Sequence, residues 1–147
     1  MADKPKVQVL LCDGAMLVDG KWTLQGVFDR INFRAPLPGV KSTFFIYFRI
    51  TDIFIKNGSS LLLELRKAGS EVESPELPPV FHGKLDFEVA ESVVGSRGKR
   101  TNFEFAMRVT GARFDATGIH DIAFFVDEEF IDVWTVHVTD PTSRGEQ

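Results

Sequence analysis

The chain has 147 residues with 17 basic and 21 acidic side chains and a formal charge of −4, enough for one well-filled core and too evenly charged to gather a nucleic-acid backbone. Fourteen Phe, two Trp and one Tyr in a 44% hydrophobic composition exclude a disordered chain. A single cysteine, Cys12, excludes an internal disulfide and a thiolate cage and fits a reducing compartment. The apolar run before Asp13 is too short for a signal-peptide core or a span of about 20 residues, so a cytoplasmic protein away from membranes is expected.

Residues 1–6 read as a loose arm and residues 7–139 as a single domain. From Val7 to Val18 apolar residues occupy both parities, as in a strand covered on both faces or interrupted near Asp13-Gly14. Asp19-Gly20 then suits a type I′ turn, whose positive φ angles both residues tolerate, and predicts a β-hairpin. After it Trp22, Leu24, Gly26 and Phe28 share one face by alternation, but beyond Asp29-Arg30 the apolar positions become Ile31 and Phe33. That flip of parity requires a bulge or a strand break at Asp29-Arg30 if both halves are to face one core.

Ala35 to Gly39, with two prolines, is a connector. Asn57-Gly58 is the other favoured type I′ dipeptide, and it predicts a second hairpin pairing Phe54 with Leu61 and Ile50 with Leu65. In that register Asp52 falls on the apolar face opposite Leu63, where a lone carboxylate is costly, so a bulge at Thr51-Asp52 is expected. Ala68 to Pro79, rich in proline and glutamate, reads as a loop crossing between sheets, and Gly95 to Arg100 as a basic loop. Leu85, Phe87 and Val89, and then Phe103, Phe105, Met107 and Val109, alternate as strands with one apolar face.

The last hairpin runs from Ile119 to Val126 and from Phe130 to Val138 around Asp127-Glu128-Glu129, with Trp134, Val136 and Val138 expected to face Ile122, Phe124 and Val126 in the core. Residues 140–147 read as a flexible tail. No stretch sustains a 3.6-residue period, so the fold class is all-β: an antiparallel two-sheet sandwich of roughly eight strands with little helix.

The spacing of Asp13, Val18, Gly20, Lys21, Leu24, Gly26, Val27, Phe28 and Asp29 resembles a bacterial family of small uncharacterised cytosolic proteins, in which a V-x-G-K-x-x-L-x-G-x-F-D hairpin opens an immunoglobulin-like sandwich. Gly118 to Val138 is similar to the closing hairpin of such sandwiches, with His120 where an aromatic is usual. The resemblance implies a fold and no activity.

Candidate chemistry is thin. His82, His120 and His137 lie in three segments without metal-ligand spacing, no G-x-S-x-G occurs, and Cys12 sits in an apolar strand as a filler. The acidic loops lack an EF-hand pattern and the basic loop lacks P-loop spacing, so no catalytic residue, metal or cofactor is expected. Phe45 and Tyr47 stand opposite the Phe44, Ile46, Phe48 face, and the predicted hairpin sets Leu62 and Ile53 beside them. Such an outer patch marks either a protein interface or ground covered by a loop of the same chain. The expected function is a non-enzymatic module docking on another protein or on a second copy through Phe45, Tyr47, Leu62 and Ile53. The alternative is a small-ligand or carbohydrate receptor using loop-end aromatics such as Trp22, Phe33, Phe81 or Trp134, the last of which reads first as a core residue.

Overall fold

The computed structural model describes residues 5–55, 58–68, 79–87 and 99–144. Its strands are β1 (Lys6–Val18), β2 (Lys21–Phe28), β3 (Arg30–Asn32), β4 (Gly39–Val40), β5 (Phe44–Ile55), β6 (Ser60–Lys67), β7 (Phe81–Asp86), β8 (Lys99–Val109), β9 (Arg113–Phe114), β10 (Gly118–Val126) and β11 (Glu129–Thr139), followed by one helical turn, α1 (Pro141–Arg144). A four-stranded sheet, in the order β2-β1-β5-β8, packs on a five-stranded sheet, β3-β11-β10-β6-β7, while β4 and β9 form a short ribbon. Every pairing is antiparallel except β3 with β11. The chain is an immunoglobulin-like β-sandwich.

The core follows from period-2 alternation. Val7, Val9 and Leu11 of β1 and Phe44, Ile46, Phe48 and Ile50 of β5 point inward from one sheet; Leu61, Leu63, Leu65, Ile122, Phe124, Val136 and Val138 point inward from the other. Phe48 and Phe124, both fully buried, meet across the two layers with ring centroids 5.1 Å apart. Burying a side chain of that size contributes about 2–3 kcal/mol, so this pair anchors one sheet on the other. The opening hairpin forms as the sequence predicts: Asp19 and Gly20 take φ of 50° and 76°, and Val18 pairs with Lys21.

The second hairpin does not form. β5 pairs with β1 and β8, whereas β6 pairs with β10 and β7. Gly58, at φ 90°, therefore lies in a crossing between the two sheets and not in a two-residue turn. Alternation could not show this, because either partner offers β5 an apolar face. The bulge at Thr51-Asp52 is present: the β5–β8 register shifts between Ile50 and Ile53, and Asp52 is exposed at φ 59° with its amide donating to the Asn102 side chain. The predicted crossing loop, Ala68 to Pro79, lies mostly outside the described residues; β6 and β7, on either side of it, are neighbours in one sheet. The predicted basic loop falls mostly within residues 88–98, outside the described residues.

The chain does break at Asp29. β2 ends at Phe28 in one sheet and β3 begins at Arg30 in the other, so Phe28 and Ile31 reach the same core from different layers. Residues 141–144, read as part of a loose tail, form α1. Asp140 caps it, its carboxylate accepting the Thr142 and Ser143 amides and, through its other oxygen, the Leu37 amide of the proline-rich connector.

Candidate functional site

The break at Asp29 has a geometric consequence on both sheets. β2 covers the outer edge of β1 only from Leu11 onward, and β3 covers the outer edge of β11 only from His137 onward. Among the described residues, 6–10 of β1 and 129–136 of β11 therefore have no neighbouring strand on the side where the two sheets approach. Bonding directions alternate along an antiparallel strand. Leu11 uses this edge to pair with Phe28, and the Val7 amide uses it to donate to Asp132 Oδ2 of β11 at 2.8 Å. Alternation from Val7 directs the amide and carbonyl of Val9, midway between them, toward the gap.

The gap is a window about 13 Å long, four residues at the usual strand rise, bounded by the Asp29 crossover and the Asp132–Val7 bond. Two hollows share it. One, of about 450 Å³, is lined by Val9, Leu10, Leu11, Val27, Phe28, Asp29, Trp134 and Val136. The other, of about 390 Å³, opens onto the outer face of the four-stranded sheet among Gln8, Val9, Leu10, Tyr47, Arg49 and Trp134. Leu10 and Trp134, common to both, are 45% and 39% exposed, and Val27 is 53% exposed. A Trp left this open beside an unpaired strand edge is unusual in a sandwich whose other inward aromatics are covered.

The polar groups around the window are unequally engaged. Asp132 accepts two backbone amides, those of Val7 and Val133, and Asp29 lies 3.7 Å from Arg30. Arg49 is exposed and has no ion pair among the described residues, because its cross-strand neighbour Glu104 accepts the Tyr47 hydroxyl. Burial, reinforced by that bond, pushes the Tyr47 pKa up to about 12, so the phenol stays neutral. The net offer is an apolar groove beside a strand edge, with a cation, Arg49, that has no ion pair among the described residues.

Cys12 and His120 line neither hollow. The Cys12 thiol is fully buried, and burial raises its pKa. His120 is buried against Phe114, its ring nitrogen at 3.2 Å from the Gly118 carbonyl, and burial lowers its pKa. Among the described residues no group of three His, Cys, Asp or Glu is placed to hold a metal.

The sequence-predicted site residues are not brought together. Phe45 and Tyr47 share the outer face of the four-stranded sheet, but Trp22 packs over Tyr47 at 6.5 Å and continues to Phe105 at 5.8 Å. Leu62 lies on the other sheet, between Phe125 and Lys84. Ile53, read as outward, is 1% exposed in the core, since the bulge at Asp52 reverses its parity. Phe33 packs on Phe114 at 5.5 Å and Phe81 sits half-buried on β7, so with Trp22 they occupy three separate neighbourhoods. Trp134 was expected in the core; parity does turn it inward, but β3 stops short of covering it. The signal that could have located the window is the parity flip at Asp29, which marks where both neighbouring strands lose their cover.

Among the described residues no helix is long and apolar enough to cross a membrane. No curated protein matches the chain. Among solved structures it is similar to a β-glucosidase from Listeria innocua, in complex with glucose, at 12% identity and a TM-score of 0.37, covering 92% of this chain and 16% of that one. It is also similar to a bacterial adhesin from Mobiluncus mulieris containing intramolecular disulfide, isopeptide and ester bond cross-links, at 13% identity and a TM-score of 0.32, covering 92% and 58%. The chain thus spans about a sixth of the glucosidase's length. Over residues 8–139 the sequence matches the family of unknown function DUF6941, and the chain belongs to that family.

Proposed function

We propose that this protein is a non-catalytic binding module that docks a protein partner in the window between β1 and β11, with Trp134 and Leu10 as its apolar anchors. The observation that carries this reading is the break at Asp29: it uncovers two strand edges at one place and leaves Trp134 39% exposed beside them. Aromatic anchors in a hollow rimmed by polar groups are the usual energetic centre of a protein interface. The buried states of Cys12 and His120 favour binding over chemistry, since neither faces a hollow described here.

The test is site-specific photo-crosslinking in cells from Leu10, with Arg113 on a remote ribbon as control. Adducts with a discrete protein that form from Leu10, not from Arg113, and vanish on Trp134→Ala are expected. Equal labelling from both positions, or adducts indifferent to Trp134→Ala, contradicts the reading.

A further inference from the structure

We infer that the occupant of the window is an extended segment of a partner protein that adds as a strand to β1 at Val9, with a bulky apolar side chain against Trp134 and a carboxylate toward Arg49; this rests on the window being the binding surface. Backbone geometry selects an extended segment. By alternation from Val7, whose amide bonds Asp132, Val9 turns one donor and one acceptor to the edge that β2 covers only from Leu11, and a helix, whose own amides and carbonyls are internally paired, cannot answer both. A strand can, and main-chain bonding at a free edge with alternate side chains in pockets is an established mode of peptide recognition.

Side-chain preference follows from the two hollows. Alternate residues of an added strand point to opposite faces, one set toward Val27, Phe28 and Val136 under Trp134, the other toward Tyr47 and Arg49. The first set meets an apolar surface. The second meets the cation that has no ion pair among the described residues, while of the carboxylates at the rim Asp132 accepts two backbone amides and Asp29 lies 3.7 Å from Arg30. Charge complementarity therefore asks the partner for Asp or Glu beside its apolar anchor.

Selection of phage-displayed random heptapeptides on the full chain tests this. Enriched sequences should lack proline, be rich in β-branched or aromatic residues and carry Asp or Glu at a fixed offset from the bulky one. Synthetic copies should bind about tenfold more weakly to Trp134→Ala and to Leu10→Ser, and Arg49→Glu should turn the selected charge from acidic to basic. On binding, amide exchange at Val9 should slow. Failure to enrich any peptide, proline-rich or basic consensus sequences, binding indifferent to both groove variants, or an unchanged Val9 amide overturns the inference. Crosslinks from Leu10 that persist despite such a result would leave the groove as binding surface and remove only the strand. Mass that rises with protein concentration, with Val9 protected in the assembly, would make a second copy the occupant and equally overturn it.

Discussion

The Asp132 carboxylate on β11 accepts the Val7 amide on β1 at 2.8 Å, a bond between two sheets that closes one end of an otherwise open strand edge. Hydrogen bonds to charged groups contribute about 1.5–3 kcal/mol. Asp132→Ala is therefore expected to lower unfolding free energy by about 1–3 kcal/mol and to accelerate Val7 amide exchange, with Asp132→Asn recovering part of both. Denaturant titration with exchange at the single amide checks the pair of outcomes.

Trp134 and Phe48 separate surface anchoring from core packing. Phe48 is fully buried against Phe124, Phe103 and Phe105, so Phe48→Ala should cost about 3–5 kcal/mol. Trp134→Ala, at a partly open site, should cost about 2 kcal/mol or less. A Trp134 loss as large as that of Phe48 would mean that the residue belongs to the core.

The outer face of the four-stranded sheet should behave as part of the fold. Tyr47 lies under Trp22 and bonds Glu104, so replacing Phe45 and Tyr47 together by Ser should lower stability by about 1–3 kcal/mol. An unchanged melting temperature would restore that face as an interface candidate.

Acid should weaken the fold in two stages. The His120 pKa is lowered by burial, so its neutral form belongs to the native state and the unfolded chain binds the extra proton. Its contribution is complete above about 6.5, the ordinary His value, and is lost as pH falls below it. Asp140, whose carboxyl is held low by its Thr142, Leu37 and Ser143 bonds, contributes above about 3.9, its unfolded value, and that share is lost only at lower pH. His120→Phe should flatten the first stage and leave the second. A profile unchanged by that substitution contradicts the assignment.

Backbone strain gives a further check. Asp52 adopts φ 59°, a region that β-branched residues strongly disfavour. Asp52→Val should cost about 1–2 kcal/mol and Asp52→Gly should be neutral or stabilising. Equal effects of the two would remove the bulge from solution.

The fold class, the Asp19-Gly20 hairpin, the Asp52 bulge and the closing hairpin were legible because each rests on local chemistry: a turn dipeptide, a misplaced carboxylate, strict alternation. Sheet membership was not. Phe54 could face Leu61 as well as the β8 segment by pattern alone, and the Asn57-Gly58 signal pointed to the nearer partner. The patch of Phe45, Tyr47, Leu62 and Ile53 inherited that error at Leu62, which lies in the other sheet, while the Asp52 bulge turned Ile53 into the core. Trp134 reads as core because its parity is that of Val136 and Val138, while its exposure is set by the length of β3, a non-local fact.

Amide hydrogen exchange of Val7, Val9 and Leu11 in the unliganded protein tests the open edge most directly. Val7, bonded to Asp132, and Leu11, paired with Phe28, should be protected, and Val9 between them should exchange far faster than either. Comparable protection at all three would mean that the edge is already covered, and would contradict the window as a binding surface.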